Sequence, residues 1–231
     1  IGGNHFMHVL RRNMDINILM FNNRIYGLTK GQYSPTSEQG KKTKASPYGS
    51  IDYPLNPPSL ALGAQATFVA RTIDRWQKHM AAMLERSYNH DGGSYIEIYQ
   101  NCNIFNDGAF EEYTGAEKFS NVIELKHGEP MVFAQGTKGI KLDGFKPKVV
   151  DMEKNSIDDI LIHNETDLDL AHIIANWTSH PTLPEPIGVI YCIDKTTYNQ
   201  DIVNQIESAI EAKGPGNVQD LLNSGDTWVV D

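Results

Sequence analysis

Two adjacent asparagines, Asn22 and Asn23, are the residues whose type and position best indicate chemistry in this sequence. They follow a short apolar stretch at residues 16–21, and a tight Tyr-Gly-Leu-Thr segment at residues 26–29 comes soon after them. An apolar run of this length next to turn-forming residues predicts a buried strand of a parallel sheet. Ligands of open α/β sheets bind beyond the carboxyl ends of such strands, so the amide pair lies where a ligand site is expected.

The amide group of asparagine suits a metal that prefers oxygen. Its side-chain oxygen is a neutral acceptor, and magnesium takes oxygen ligands in near-octahedral geometry while linking a protein to ligand phosphates. One Asn oxygen and a backbone carbonyl two residues later fit that requirement. The residue types alone leave a second interpretation open, in which Asn22 and Asn23 only end a strand and begin a turn.

Several short strings of this sequence, taken in order, separate these interpretations. They lie at residues 1–5, 11–13, 22–32, 34–37 and 100–103. Together they resemble the thiamine diphosphate motif in the β subunits of 2-oxoacid:ferredoxin oxidoreductases, and most closely the 2-oxoglutarate type. The remaining half of the chain resembles this family more loosely.

The resemblance implies a role for each residue of the Asn-Asn string. Asn23, through its side chain, and Ile25, through its main-chain carbonyl, are expected to bind the magnesium ion that holds the diphosphate. Gly27 lets the backbone approach thiamine diphosphate without a Cβ clash, and Leu28 packs near the same cofactor. Taken in isolation, Leu28 would be interpreted as a core residue. Lys30 is expected to hold the substrate carboxylate, with a solvated lysine as the alternative.

Cys102 is the third metal-binding residue that the resemblance implies, as one ligand of a [4Fe–4S] cluster. Such a cluster needs four thiolates, and the sequence contains only Cys102 and Cys192. The other cluster ligands and an aspartate ligand of magnesium are expected upstream of residue 1. A lone cysteine is otherwise most often a small buried hydrophobe, and Cys192, inside an apolar stretch, is interpreted as a core residue.

Other polar groups carry weaker signals. The basic stretch Lys41, Lys42 and Lys44 suggests a site for the phosphates of coenzyme A, with a solvated loop as the alternative. His5 and His8 share a helical face, but no third zinc ligand is suitably spaced, so packing or hydrogen bonding is the favoured interpretation.

Composition excludes several classes of protein. The 231 residues carry a formal net charge of −9, which argues against a general nucleic-acid binder. No apolar stretch is long enough to cross a bilayer. Two cysteines far apart exclude a disulfide scaffold and favour a reducing, cytoplasmic location.

The order of strand and helix patterns predicts an α/β, thiamine diphosphate-binding fold whose mostly parallel sheet is covered by helices on both faces. We expect residues 1–114 to form the cofactor-binding domain and residues 115–231 a C-terminal extension that packs on the sheet or on the partner subunit. A long loop is expected at residues 31–58 and short strands at residues 115–153. The predicted helices are 4–13, 58–66, 74–88, 156–163, 167–177 and 202–212, and the predicted strands are 16–21, 67–70, 94–99 and 187–193.

The resemblance implies an oxidoreductase that decarboxylates 2-oxoglutarate, transfers the acyl group to coenzyme A to give succinyl-CoA and reduces ferredoxin. Its cofactors are thiamine diphosphate, Mg²⁺ and a [4Fe–4S] cluster. The chain is expected to act only with an α (or fused γα) subunit, in a dimer of αβ heterodimers. Three alternatives stay open: the same chemistry on pyruvate or other 2-oxo acids, a non-redox thiamine diphosphate decarboxylase or carboligase, and a non-enzymatic domain that only binds its partner.

Overall fold

A computed structural model describes residues 2–230 of the chain. The strands are β1 (Asn17–Asn22), β2 (Phe68–Ile73), β3 (Ser94–Tyr99), β4 (Val122–Leu125), β5 (Val132–Phe133), β6 (Lys138–Asp143), β7 (Lys146–Asp151) and β8 (Glu185–Cys192). The helices are α1 (Gly3–Arg11), α2 (Pro57–Gly63), α3 (Gln77–Tyr88), α4 (Glu111–Thr114), α5 (Lys118–Asn121), α6 (Leu168–Asn176), α7 (Tyr198–Lys213) and α8 (Val218–Leu222). None of these helices within residues 2–230 is both long and apolar enough to cross a membrane.

The main sheet has five strands in the order β1-β3-β2-β8-β4. Every neighbouring pair is parallel except β2 and β8, which run antiparallel. A second, antiparallel sheet is formed by β5, β6 and β7. The prediction of a mostly parallel sheet is therefore confirmed.

Helices cover both faces of the main sheet, as predicted. Successive side chains of a strand point to opposite faces, and β2 shows this directly. Phe68 packs in a cluster with Met83 of α3, whereas its neighbour Val69 packs in the main core with Leu10 of α1 and Ile174 of α6. Every residue of β2 and β3 is buried, as expected for parallel strands that are covered on both faces.

The C-terminal half is integrated into this architecture. Residues 115–231 supply β4 and β8 to the main sheet and all three strands of the small sheet. They also supply α6, whose buried face packs in the same core as α1 and α2. The proposed division at residue 114 therefore does not separate two independent sheets, and it stays a prediction.

The prediction that residues 16–21 form a buried strand is wrong in one respect. The strand exists as β1, but it is an edge strand, paired within the described residues only to β3. Its side chains alternate in exposure, with Leu19 40% and Phe21 58% exposed. An apolar run bounded by turns does not distinguish a central strand from an edge strand, because that difference depends on which other strands lie beside it.

The helix predicted at residues 156–163 is also wrong. Ser156 does cap a short turn by accepting a hydrogen bond from the Asp158 N–H, but only Ile157–Asp159 is helical, as one 3₁₀ turn. The chain then becomes extended, because its backbone N–H groups bond distant carbonyls instead of forming the hydrogen bonds of a helix. Leu161 donates to the Ile140 carbonyl at 2.8 Å, and His163 donates to the Glu129 carbonyl at 3.0 Å.

Helix α3 begins at Gln77, later than the predicted start at Asp74. Asp74 is held at the end of β3, where its N–H donates to the Tyr99 carbonyl at 2.9 Å and its carboxylate accepts from the Asn101 N–H at 3.2 Å. Within this helix, Met83 is buried in the core, while Tyr88 at its end is 81% exposed.

A charged cluster lies inside this core. The Arg71 guanidinium on β2 donates from Nε to Glu97 Oε2 on β3 at 2.8 Å and from Nη1 to Glu185 Oε1 on β8 at 2.7 Å. Its Nη2 donates to Thr178 Oγ1, just beyond α6, at 2.9 Å. All three charged residues are almost inaccessible to solvent. Burial by itself lowers the pKa of Arg71, but its interactions with Tyr99, Glu185 and Glu97 raise that pKa by more, so the guanidinium stays charged.

We predict that Arg71→Met lowers the free energy of unfolding by about 3–5 kcal/mol, because removing one member of a buried ionic cluster leaves the others uncompensated. Lys148→Met is the matched control, since it removes a lysine of an exposed ion pair with Asp143. Urea-induced unfolding followed by circular dichroism measures both variants. Equal stability of the two variants would show that the buried cluster does not hold the strands together.

Candidate cofactor site

The Asn-Asn turn lies at the carboxyl edge of the sheet, as expected. Asn22 is the last residue of β1 and pairs with Tyr99, the last residue of β3. The Gln100 N–H donates to the Asn22 carbonyl at 3.1 Å, so the chain leaving β3 toward Cys102 runs beside the Asn-Asn turn. The structure therefore brings the predicted magnesium ligands and the Cys102 loop to one edge.

Asn23 retains the capacity to bind a cation. Its side-chain oxygen accepts a single hydrogen bond, from the Ile25 N–H at 3.2 Å, which leaves one of its two lone pairs. Its main-chain carbonyl accepts from Asn106 Nδ2 at 2.9 Å. Within residues 2–230, no donor of the chain bonds the Ile25 carbonyl. The Asn23 side chain and the Ile25 carbonyl are thus two hard oxygen donors that fit magnesium.

The described residues contain no group of three His, Cys, Asp or Glu side chains placed to hold a metal. A magnesium ion at this turn would therefore need amide and carbonyl oxygens, completed by oxygens of a bound ligand. That donor set is typical of magnesium held together with a diphosphate.

Asn22 has a different role from Asn23. Its Nδ2 donates to Glu97 Oε1 at 2.7 Å, and its oxygen accepts from Thr36 Oγ1 at 2.7 Å and from the Arg24 N–H at 3.1 Å. The residue is buried and its oxygen is saturated. Of the two asparagines, only Asn23 therefore keeps a free lone pair, which supports its assignment as the metal ligand.

The Ser-Pro-Thr-Ser segment at residues 34–37 holds the Asn-Asn turn from the other side. Ser37 Oγ donates to the Arg24 carbonyl at 2.5 Å and accepts from the Ser34 N–H at 2.8 Å. Sequence reasoning missed the contributions of Asn22, Thr36 and Ser37. The available signal was that residues 34–37 recur together with the Asn-Asn string in the family that the sequence resembles.

The loop that follows the turn is open to solvent. The Tyr26 N–H donates to the Gln32 carbonyl at 2.8 Å and closes a short loop, in which Leu28 is 98% exposed. The interpretation of Leu28 as a core residue is therefore wrong, whereas its contact with thiamine diphosphate stays a prediction. A Cβ on Gly27 would meet no atom of the described chain within 4 Å. Lys30 is also exposed and has a positive φ of 65°.

A cleft of about 430 Å³ lies beside the turn. Its size is within the range of small-molecule sites. Apolar side chains of α1 and β1 form one wall, and the polar turn forms the other; its lining includes Phe6, Met20, Asn22, Asn23, Ile25 and Thr36.

Cys102 lies in a loop next to the Asn-Asn turn. Its carbonyl accepts from the Asn106 N–H at 2.9 Å, and Asn106 in turn bonds Asn23. Cys192 pairs with Phe68 at the start of β2. It therefore lies at the amino-terminal ends of the parallel strands, opposite to the end that carries the Asn-Asn turn. It is partly buried and packs against the core cluster that contains Phe68 and Met83, in agreement with its interpretation as a core residue. The described residues thus supply one thiolate at this edge and do not form a complete [4Fe–4S] site.

The basic stretch at residues 41–44 is partly structural. Lys41 Nζ donates to Asn106 Oδ1 at 2.5 Å and pairs with Glu38 at 2.9 Å, so Lys41 ties the loop to the site instead of being solvated. Lys42, Lys44 and Lys30 line a shared concavity of about 640 Å³ with Ile104 and Phe105. His5 and His8 are exposed on α1.

The sequence matches the family described as thiamine pyrophosphate enzyme, C-terminal TPP binding domain, over residues 1–98. That segment contains β1, the Asn-Asn turn, the loop at residues 26–32 and the segment at residues 34–37.

Curated relatives agree with this match. The chain is 44% identical over its whole length to the 2-oxoglutarate oxidoreductase subunit KorB of Mycobacterium tuberculosis. It is 42% identical to subunit beta of 2-oxoacid:ferredoxin oxidoreductase 1 of Aeropyrum pernix over 46% of the chain and 34% of that protein. It is 40% identical to the 2-oxoglutarate synthase subunit KorB of Archaeoglobus fulgidus over 44% of the chain and 38% of that protein. The chain spans 63% of the length of the mycobacterial relative.

A solved structure shows the same fold. The chain superposes with a TM-score of 0.71, at 23% sequence identity, on 2-oxoglutarate:ferredoxin oxidoreductase from Magnetococcus marinus, with 98% of this chain and 63% of that chain covered. The superposition includes the C-terminal half as well as the segment with the Asn-Asn turn. This chain is therefore similar in sequence to β subunits of 2-oxoacid:ferredoxin oxidoreductases, and its first 98 residues match the C-terminal TPP binding domain of thiamine pyrophosphate enzymes.

Proposed function

We propose that this chain is the thiamine diphosphate-binding β subunit of an enzyme that decarboxylates 2-oxoglutarate, transfers the succinyl group to coenzyme A and reduces ferredoxin. The observation that carries the proposal is the pair of uncommitted oxygen donors, Asn23 Oδ1 and the Ile25 carbonyl. They occur at the carboxyl edge of the sheet, in the segment that matches the cofactor-binding family.

In this proposal Asn23 and Ile25 hold a magnesium ion, and the ion holds the diphosphate of the cofactor. When bound, thiamine diphosphate supplies the carbanion chemistry that releases carbon dioxide from a 2-oxo acid. The chain's own contribution is to position the cofactor. Gly27 suits this role, because among residues 2–230 no atom would meet a Cβ there and the missing Cβ leaves room for a ligand.

Lys30 is proposed to bind the substrate carboxylate as a point charge. It lies on the same exposed loop as Gly27, four residues beyond the start of that loop at Tyr26, and its positive φ is unusual for a lysine. Such backbone conformations cluster at ligand-binding sites. The relatives named as 2-oxoglutarate enzymes support this dicarboxylate as the substrate; pyruvate or a broader range of 2-oxo acids is the alternative.

Coenzyme A is proposed to place its phosphates near Lys42 and Lys44. Lys30, Lys42 and Lys44 all line the 640 Å³ concavity. Three cations around one opening attract a polyanion such as a nucleotide-bearing coenzyme.

Cys102 is proposed to supply one thiolate to a [4Fe–4S] cluster that accepts electrons for ferredoxin. Its place at the cofactor edge supports this role, although the other thiolates must come from outside the described residues. The enzyme is further proposed to be cytoplasmic and to require an α subunit, in a dimer of αβ heterodimers. The subunit names of the relatives support a multisubunit assembly.

We predict that Asn23→Ala raises the Kd of thiamine diphosphate in the presence of Mg²⁺ by about tenfold or more, since losing a metal ligand removes at least about 1.4 kcal/mol. Asn204→Ala is the matched control, because Asn204 is an exposed residue on α7. Quenching of intrinsic fluorescence during cofactor titration of the assembled enzyme gives both values. If Asn23→Ala binds the cofactor like the control, Asn23 is not a metal ligand and the non-enzymatic alternative gains support.

We predict that Lys30→Met raises the KM for 2-oxoglutarate by about tenfold or more, because a charge-assisted hydrogen bond is worth about 1.5–3 kcal/mol. Lys146→Met, an exposed lysine on β7, is the control. Ferredoxin reduction with 2-oxoglutarate and with pyruvate, assayed in parallel, measures the effect. A strong preference of the unmodified enzyme for pyruvate would contradict the assigned substrate.

We predict that Cys102→Ser abolishes the brown colour and the electron paramagnetic resonance signal of the reduced cluster, whereas Cys192→Ser retains both. The reason is that only Cys102 lies at the edge that carries the Asn-Asn turn. Cofactor binding measured on the same preparations should survive in both variants. An unmodified complex that is colourless and lacks iron would favour the non-redox decarboxylase or carboligase.

A further inference from the structure

Arg24, between the two proposed magnesium ligands, has a backbone conformation that is rare for its residue type. Its φ is +54°, in the left-handed region that favours glycine. Such a conformation persists only where the surrounding structure over-determines it, and it is found mainly at functional sites. The backbone of Arg24 sets the relative direction of the Asn23 side chain and the Ile25 carbonyl, because it connects them.

Both backbone polar groups of Arg24 are fixed by side chains. Its N–H donates to Asn22 Oδ1 at 3.1 Å, and its carbonyl accepts from Ser37 Oγ at 2.5 Å. Both contacts come from the N-terminal half of the chain, so they anchor the turn on one side only.

The guanidinium of Arg24 extends the anchoring to the C-terminal half. It lies over the ring of Phe110 at 4.7 Å and over that of Tyr99 at 5.5 Å, distances typical of cation–π contacts. Its Nη2 donates to Ser179 Oγ at 3.0 Å. Ser179 follows α6 in a stretch of the chain that lies 155 residues from Arg24.

Ser179 is itself fixed to the buried charged cluster. Its N–H donates to Glu185 Oε2 at 2.8 Å, and Glu185 pairs with Arg71. Ser179 also has a positive φ, of 55°. Arg71 is one cation between Glu97 and Glu185, so a second cation held nearby balances the second carboxylate. Electrostatics, as well as geometry, therefore favour an arginine at position 24.

We propose that Arg24 is a positioning residue for the metal-binding turn, and that its hydrogen bond to Ser179 is the contact through which the C-terminal half fixes the cofactor site. The inference rests on the proposed function, since it gives Arg24 and Ser179 the task of aligning Asn23 and Ile25. It assigns to Ser179, in the C-terminal half, an indirect part in cofactor binding that acts through Arg24.

The test is a double-mutant cycle on the assembled enzyme. Ser179→Ala is expected to raise the Kd of thiamine diphosphate, at saturating Mg²⁺, about fivefold, because one solvent-exposed hydrogen bond that anchors the turn is lost. Arg24→Met should raise it about thirtyfold or more, and Arg24→Lys should give an intermediate value because it keeps the charge but not the planar fork. The KM for 2-oxoglutarate, measured at saturating cofactor, should change less than twofold. Ser120→Ala, an exposed serine near the same loop, is the control.

The cycle with Asn23→Ala decides between positioning and general stabilisation. If Ser179 acts through the turn, Ser179→Ala has no further effect on the Kd once Asn23 is replaced. Additive effects, or a loss of affinity that only follows the loss of thermal stability, would overturn the inference. Normal cofactor affinity in both Ser179→Ala and Arg24→Met would also overturn it. If instead Asn23→Ala itself leaves the Kd unchanged, the proposed function fails before the positioning role does.

Discussion

The buried cluster of Arg71, Glu97 and Glu185 is the interaction on which the rest of the structure depends. It joins three neighbouring strands of the main sheet through side chains, where a parallel sheet otherwise has only backbone hydrogen bonds and apolar packing. Charges that are fully buried require every partner to be in place, because an unpaired charge in the core costs far more than a lost surface contact. The strands are consequently fixed in position as well as held together.

The same cluster reaches the cofactor edge through single hydrogen bonds. An ionised carboxylate only accepts hydrogen bonds, so Glu97 forces the NH₂ group of Asn22 toward itself and the oxygen of Asn22 toward Thr36 and Arg24. All hydrogen-bonding capacity of the Asn22 oxygen is thereby taken by the protein itself, whereas the Asn23 oxygen keeps a lone pair for a ligand. Two adjacent residues of one type are given opposite roles by the polarity of one buried neighbour.

The spacing of apolar and turn-forming residues predicted those parts of the fold that depend on contacts between residues close in sequence. The helix at residues 4–13, the strand β1 and the long loop after residue 31 are present, because apolar spacing and turn residues are sufficient to define them. The edge position of β1 and the extended chain at Leu161 and His163 were not predictable, since both depend on contacts with distant segments. The site divides in the same way. Asn23 and Ile25 could be singled out within one string, whereas the roles of Arg24 and Asn22 depend on Ser179 and Glu97, far away in sequence.

The position of β8 in the sheet has a consequence for folding during synthesis. This strand comes last among the described strands yet lies between β2 and β4. Until it is synthesised, β2 is paired on one side only and β4 has no partner strand. Domains form from the N-terminal end as the chain leaves the ribosome, and pairings between distant segments close slowly. A nascent chain that stops short of Glu185 exposes the apolar strand β2 as a sheet edge, the kind of surface on which chains aggregate. The main sheet of this chain can therefore be completed only after β8 has been synthesised.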